Sequence, residues 1–169
     1  MASGSFELYL IRHAIAEQRG EKWPDDNKRP LTEDGIARMR RASRGLARLV
    51  SFDAVLTSPL VRARQTAEIV AAACDPKPAL VNVESLTPDG NYAAIVADIE
   101  KHARKAMRLA LVSHEPLIGE LAARLIGSRH PIEFKKGAVC RIDLDSIPPA
   151  GPGDLRWMAT PKILRLMNK

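Results

Sequence analysis

Short apolar segments alternate with longer amphipathic ones along the chain, and the two kinds differ in the period of their hydrophobic positions. The short apolar runs predict β-strands, and these are Phe6–Ile11, Phe52–Thr57, Ala79–Val83, Leu109–Val112, Val139–Leu144 and Arg156–Thr160. Segments with apolar residues three and four apart predict helices, and these are Leu31–Val50, Leu60–Ala73, Asn91–Lys105 and Glu115–Ile126. This order of elements predicts an α/β fold, a three-layer α/β/α sandwich around a mixed, mostly parallel sheet.

Residues at the ends of these elements add detail to the predicted fold. Thr32 and Ser58 are typical helix N-caps, and Pro59 suits the first helical position after Ser58. The wholly apolar segment Leu109–Val112 predicts a central strand, because a strand buried on both faces lacks polar alternation. Sites in such sheets lie beyond the carboxyl ends of the strands, so functional residues are expected at that edge.

Length and composition exclude several classes of protein. The chain has 169 residues, which predicts one domain over residues 1–169. No apolar run is long enough for a transmembrane helix, and Met1–Ser5 has no basic or apolar signal-peptide pattern. Cys74 and Cys140 are the only cysteines, too few for a disulfide framework or a four-cysteine zinc site. These features predict a cytoplasmic protein.

The net charge of +6 is compatible with two kinds of anionic partner, a nucleic acid and a phosphorylated substrate. Aromatic residues make up only 4% of the chain, so few rings are available for stacking against bases. The composition therefore predicts neither a nucleic-acid partner nor an association with membranes.

Arginines and histidines follow three of the predicted parallel strands. Arg12-His13 ends strand one, Ser58 and Arg62 follow strand two, and His114 follows strand four. Each of these residues alone is common at a protein surface, but parallel strands would bring all of them to one edge of the sheet. A guanidinium binds a phosphate through two parallel hydrogen bonds, and a neutral imidazole attacks phosphorus. The set predicts phosphoryl transfer without a metal ion or an organic cofactor.

Four segments resemble, in order, the motifs of the histidine phosphatase superfamily, the phosphoglycerate-mutase-like group. They are LYLIRHA at 8–14, RPLTEDG at 29–35, TSPLVRARQTA at 57–67 and LVSHEP at 111–116. Within that superfamily the chain is most similar to the small SixA-type phosphohistidine phosphatases. His114 follows Arg62 by only 52 positions, which leaves no room for the large cap insertion of bigger relatives.

The resemblance implies a role for each residue at the strand ends. His13 would be the nucleophile and would form a phosphohistidine intermediate, while Arg12, Arg62 and His114 would bind the phosphoryl group. The physics of helix termini adds the backbone N–H groups at the helix start near Ser58 as a further candidate for binding the anion.

Two positions raise questions about this assignment. Ala14 stands where the family motif has glycine, so the pocket gains a methyl group. Glu84 is the one acidic residue at a position comparable to that of the general acid in mutase-like relatives. Its carboxylate is equally suited to capping its own loop, in which case the proton for the leaving group comes from solvent or from the substrate.

The absence of a cap predicts an open site, which suits a phosphorylated side chain presented by a protein. The leading hypothesis is therefore a metal-independent phosphatase that hydrolyses phosphohistidine on a histidine phosphotransfer domain. A small-molecule phosphomonoesterase with the same His13 nucleophile is the first alternative. A basic anion-binding or nucleic-acid-binding module without catalysis is the second, and it would bind polyanions with a steep salt dependence.

Overall fold

Alternate side chains of β1 (Phe6–Arg12) face two separate hydrophobic cores. Leu8 and Leu10 lie in one core, Tyr9 and Ile11 lie in the other, and all four are buried. This period of two belongs to a strand in a sheet that is covered on both faces. The structure is a computed structural model that describes residues 5–168. The signal-peptide prediction for Met1–Ser5 therefore lies outside the described residues, apart from Ser5.

Six strands form one sheet in the order β3-β2-β4-β1-β5-β6. The other strands are β2 (Ala54–Thr57), β3 (Ala79–Asn82), β4 (Arg108–Ser113), β5 (Val139–Leu144) and β6 (Asp154–Ala159). Strand β5 is antiparallel to both β1 and β6, and the other neighbouring pairs are parallel. The mixed, mostly parallel sheet is confirmed, and the apolar strand β4 lies between β2 and β1, as its composition predicts.

Helices cover both faces of the sheet. Within residues 5–168 they are α1 (Glu33–Leu49), α2 (Val61–Ala72), α3 (Tyr92–Ala103), α4 (Leu117–Ile126) and α5 (Pro161–Leu166). Helices α1, α2 and α5 pack on the core that contains Tyr9, and α3 and α4 pack on the core that contains Leu8. This arrangement confirms the predicted three-layer α/β/α sandwich. None of these helices is long and apolar enough to cross a membrane, as far as the described chain extends.

One of the two predicted N-caps is confirmed and the other is wrong. The Thr32 hydroxyl accepts the Gly35 N–H at 2.9 Å, which begins α1. Helix α2 starts only at Val61, and no side chain caps it. The Ser58 N–H donates to the Val112 carbonyl at 3.0 Å, so the sheet ladder continues through Ser58. The helix therefore begins later than the Ser-Pro pair suggests.

Helix α5 was not expected from the apolar pattern. It has only six residues, and Leu164 is its one buried residue. Its start is marked by Thr160, which was predicted to end the last strand and instead acts as an N-cap. A single buried side chain leaves no helical period to detect, so the C-terminal helix could not be predicted.

The strand register brings three loops together at one edge of the sheet. Arg12 of β1 is level with Ser113 of β4, and Thr57 of β2 is level with Val112 of β4. The loops that follow β1, β2 and β4 therefore start at neighbouring points along the edge formed by the carboxyl ends of these strands. Between β3 and β4 it forms only a 3-10 turn (Glu84–Leu86) and α3, so no large cap insertion covers that edge.

Candidate active site

His13 lies directly after β1, and its surroundings leave its backbone little freedom. Its N–H donates to the Ser113 carbonyl at 3.1 Å, and its carbonyl accepts the Gly137 N–H at 3.1 Å. The next N–H, of Ala14, donates to the Thr66 hydroxyl at 3.0 Å. These bonds tie the His13 backbone to the end of β4, to the residues before β5 and to α2. The side chain is only 7% exposed.

The protonation state of His13 follows from its contacts. Its Nδ1 is 2.7 Å from the Ala14 carbonyl oxygen, which can only accept a hydrogen bond, so Nδ1 carries the proton. Burial lowers the pKa of His13 to about 3, and the charges of Arg62, Arg12 and Arg29 act in the same direction, although the Ala14 bond opposes them. The ring is therefore neutral near pH 7, with a free lone pair on Nε2.

Arg12 and Arg62 each keep one buried nitrogen without a partner. Arg12 donates from Nη1 to the Phe134 carbonyl at 2.7 Å, and Arg62 donates from Nη1 to the Asp26 carbonyl at 2.8 Å. The Nε atoms of both arginines are buried and have no hydrogen-bond partner among the described residues. A buried donor without an acceptor costs about 1–3 kcal/mol, so these N–H groups are suited to a bound anion.

His114 is held in the site by a hydrogen bond to Ser58. Its Nε2 is 2.8 Å from the Ser58 hydroxyl oxygen, which also accepts the Leu60 N–H at 3.3 Å. The Ser58 hydroxyl can donate to Nε2, and in that tautomer the ring proton is on Nδ1. This Nδ1 is buried without a partner within residues 5–168. Burial lowers the pKa of His114 to about 3, helped by its proximity to His13 and Arg62, so this ring is also neutral.

The sheet edge therefore brings together the two arginines and two histidines that the sequence places at the strand ends. The ring centroids of His13 and His114 are 5.2 Å apart, and Arg12 and Arg62 are close enough to lower the pKa of His13. Three buried nitrogens in this set lack a hydrogen-bond partner among residues 5–168, the Nε of each arginine and the Nδ1 of His114. Unpartnered guanidinium N–H groups near a neutral imidazole are the kind of groups that phosphoryl transfer requires.

Ser58 contributes its side chain to this site, while its backbone N–H, a candidate for binding an anion, already has a partner. Its backbone N–H is bonded to the Val112 carbonyl, so that group is not free to bind an anion. Leu60, the residue at the start of α2, has its N–H bonded to the Ser58 hydroxyl. The contact that Ser58 makes in the site is the hydrogen bond to His114, and this bond orients the His114 ring.

Asp26 and Arg29 were not singled out from the sequence, and both belong to this site. The Asp26 carboxylate lies 3.0 Å from Arg62 Nη2, 2.8 Å from Arg29 Nε and 3.3 Å from Arg19 Nε. Burial raises the pKa of Asp26, but the hydrogen bond from Arg29 and the charges of the arginines outweigh it, and the pKa lies below its usual value. The local signals are the three-residue spacing of Asp26 and Arg29 and the position of Arg29 at the start of the RPLTEDG segment.

Glu84 lies on the wall of an open cleft beside these residues. The cleft has a volume of about 800 Å³, and two loops, 19–27 and 84–89, form its walls together with Pro59 and Leu60. Glu84 is exposed, and its carboxylate makes no hydrogen bond or ion pair in the described structure. The loop is held instead by the Glu84 carbonyl, which accepts from the Thr87 N–H and hydroxyl. In the described structure the carbonyl of Glu84, and not its carboxylate, holds the loop.

Ala14 fits its position without backbone strain. No non-glycine residue among those described has a positive φ, so the chain does not need glycine here for its conformation. The Ala14 side chain is buried in the core that contains Tyr9. The extra methyl group therefore packs against the core. No group of three or more His, Cys, Asp or Glu side chains in residues 5–168 is arranged to bind a metal ion.

Known proteins resemble this chain in sequence. Residues 8–86 match the family model of the histidine phosphatase superfamily (branch 1). The chain is 32% identical over 146 residues to the phosphohistidine phosphatase SixA homolog of Haemophilus influenzae, covering 80% of this chain and 86% of that protein. It is 29% identical over 162 residues to the phosphohistidine phosphatase SixA of Escherichia coli, covering 95% of this chain and 97% of that protein.

Solved structures also resemble this chain in their fold. A solved structure of the protein histidine phosphatase SixA complexed with tungstate matches with a TM-score of 0.81 and 28% identity. The match covers 92% of this chain and 97% of that one. Sequence and fold agree along nearly the whole chain, and the resemblance seen in the four motifs is confirmed. The chain belongs to the histidine phosphatase superfamily.

Proposed function

We propose that this protein hydrolyses phosphohistidine on another protein, with His13 as the nucleophile. Membership of the superfamily supports a phosphatase, and two relatives are named as phosphohistidine phosphatases. The observation that carries the proposal is the set of three buried nitrogens without a partner, two of them arginine N–H donors, beside a neutral imidazole. A phosphoryl group supplies both the acceptors that these donors lack and the electrophile that the imidazole attacks.

The first step transfers the phosphoryl group to His13. The Nε2 lone pair forms a bond to phosphorus while the bond between phosphorus and the substrate nitrogen breaks. The electron pair of the broken bond stays on the substrate nitrogen, which takes up a proton. Arg12, Arg62 and the Nδ1–H of His114 donate to the phosphoryl oxygens as charge builds on them.

The second step releases phosphate. A water molecule attacks the phosphorus of phosphorylated His13, and the bond from phosphorus to Nε2 breaks. The electron pair returns to Nε2, inorganic phosphate leaves, and the proton lost by water passes to solvent. No metal ion takes part in either step, because the arginines already neutralise the phosphoryl charge.

The cleft supports a protein substrate. Its volume of about 800 Å³ is far larger than a phosphate ion needs, and it opens to solvent between two exposed loops. A phosphorylated imidazole on a protein surface can enter such a cleft without being enclosed. A phosphorylated histidine phosphotransfer domain has this chemistry.

The experiment that tests this function compares two substrates. We expect phosphate release from a phosphotransfer domain carrying phosphohistidine, with EDTA leaving the rate unchanged. Turnover of p-nitrophenyl phosphate without turnover of the phosphoprotein would assign the chain to small-molecule esters instead. Turnover of neither would contradict a phosphatase, and loss of activity in EDTA would contradict the metal-independent mechanism.

Glu84 is the proposed proton donor to the leaving group, and its replacement gives a distinct prediction. Glu84→Gln is expected to slow hydrolysis of an alkyl phosphate about 100-fold, because an alkoxide needs a proton to leave. Hydrolysis of p-nitrophenyl phosphate should be unchanged, because nitrophenolate leaves unaided. Asp89→Asn on the same cleft wall is the matched control. Equal rates for Glu84→Gln and wild type on both esters would assign the proton to solvent.

The lowered pKa values of both site histidines predict an unusual titration. Their NMR ring signals should not move between pH 8 and about 5, because both pKa values lie near 3, below the usual value of about 6.5. The neutral nucleophilic form of His13 then persists as the pH falls through that range. His13→Ala and His114→Ala spectra assign the signals. A midpoint near pH 6.5 for either ring would contradict the burial argument.

A further inference from the structure

A second cavity lies next to the loop that carries His13. It has a volume of about 270 Å³, and α1, α5 and the segment before β5 enclose it. Ala14 and Ile15, the two residues after His13, form one wall, and Gly137 forms another. The Gly137 N–H donates to the carbonyls of both Arg12 and His13 at 3.1 Å. The wall of this cavity is thus continuous with the backbone that holds the nucleophile.

The side chains around this cavity are strongly basic. Four cationic residues line it and no acidic residue does, and the four are Arg38, Lys136, Lys162 and Arg165. Only Arg38 has an anionic partner, Asp34, at 2.8 Å. The other three make no ion pair with any residue in the range 5–168. We call this feature the basic cavity.

The absence of a compensating acid sets the basic cavity apart from the other cavities. The cleft beside the active site includes Asp26, Glu84 and Asp89, and the lining of the cavity between α1 and α2 includes Glu68 as well as Arg40 and Arg44. Like charges around one concave surface repel each other, and the repulsion grows as the surface excludes water. The positive potential in the basic cavity is therefore available to an anion from outside.

The form of the site indicates which anion it fits. Lys136 and Lys162 are exposed, and a lysine ammonium is a point charge on a flexible stem, unlike the guanidinium groups of Arg12 and Arg62, whose Nε atoms are buried. A lysine suits a carboxylate that approaches on a flexible side chain and keeps part of its hydration. These properties favour acidic side chains on a protein surface over a second phosphoryl group on a small substrate.

We propose that the basic cavity docks acidic side chains of the protein that carries the phosphohistidine, and this rests on the proposed function. A carboxylate bound there would lie beside Ala14, one residue from the nucleophile. The contact would bring the phosphorylated imidazole of the partner toward His13 without taking part in the chemistry. It would also favour protein substrates over small phosphate esters.

A pair of matched double variants tests this docking site. Lys136→Gln/Lys162→Gln removes two positive charges from the basic cavity, and Arg40→Gln/Arg44→Gln removes two from the cavity between α1 and α2. For a phosphorylated phosphotransfer domain, the lysine variant should raise KM about tenfold with kcat unchanged. The arginine variant should leave KM close to that of wild type. Neither pair should change KM for p-nitrophenyl phosphate.

Salt dependence and direct binding complete the test. Raising the salt concentration should increase the wild-type KM for the phosphoprotein more steeply than that of the lysine variant. If both double variants raised KM for the phosphoprotein equally, the effect would come from the overall positive charge of the protein, and the docking site would be overturned. An unchanged KM in the lysine variant would overturn it as well. If the wild type does not hydrolyse the phosphoprotein, the proposed function fails. Titration of the unphosphorylated domain into both variants still tests docking, because equal affinities would overturn it.

Discussion

Replacing His13 by alanine should abolish turnover of every phosphorylated substrate and leave the fold intact. The imidazole lies beyond the end of a strand, and its one side-chain hydrogen bond is to the adjacent Ala14 carbonyl, so its loss breaks no side-chain hydrogen bond between distant parts of the chain. Loss of a covalent nucleophile lowers kcat on the order of 10⁴-fold or more. Phosphate release measures the loss, and a thermal melt followed by circular dichroism checks the fold.

His130→Ala is the matched control for this variant, because His130 is an exposed imidazole in a loop. It should retain wild-type activity on all substrates. If His13→Ala kept more than about one hundredth of the wild-type kcat with its fold intact, another residue would have to be the nucleophile.

Arg62→Lys should be nearly as damaging, although it keeps the positive charge. The guanidinium donates to the Asp26 carbonyl at 2.8 Å and lies 3.0 Å from the Asp26 carboxylate, while its Nε remains free for the phosphoryl group. A lysine ammonium is a single point and cannot serve both partners from one position. We expect kcat/KM to fall about 100- to 1,000-fold, with weaker inhibition by tungstate, a phosphate mimic.

Arg64→Lys provides the control on the same helix. Arg64 pairs with Glu68 at 2.9 Å on a partly exposed surface, so this variant should keep wild-type kinetics. Because Arg62 is only 2% exposed, denaturant unfolding of Arg62→Lys must be measured as well. A stable Arg62→Lys enzyme with wild-type kcat/KM would remove Arg62 from the phosphate-binding set.

The parts of this protein that could be predicted from sequence are those with a local signal. The sheet is predicted by the short apolar runs, and the central position of β4 is predicted by the wholly apolar composition of Leu109–Val112, all of which are buried. The proximity of Arg12 and His13 to Arg62 and His114 is predicted by a general property of parallel sheets, because the carboxyl ends of parallel strands meet at one edge. Each of these inferences needs only a few neighbouring residues and a rule of packing.

The features that could not be predicted depend on contacts between distant parts of the chain. Asp26 lies in a polar loop, 36 positions before Arg62, and only the folded chain brings its carboxylate to that guanidinium. Ser58 has the local pattern of an N-cap, but its N–H is bonded to β4 and its hydroxyl to His114. In both cases tertiary hydrogen bonds outweigh the local preference of the residue.

The hydrogen bond from His13 to its own neighbour predicts which isomer the proposed phosphohistidine intermediate would be. Histidine can be phosphorylated on either ring nitrogen, and the two products are distinct regioisomers. Because Nδ1 of His13 is occupied by the Ala14 carbonyl at 2.7 Å, only the Nε2 regioisomer can form. Rapidly quenched enzyme should therefore contain one phosphohistidine isomer, which isomer-specific antibodies can distinguish from the other.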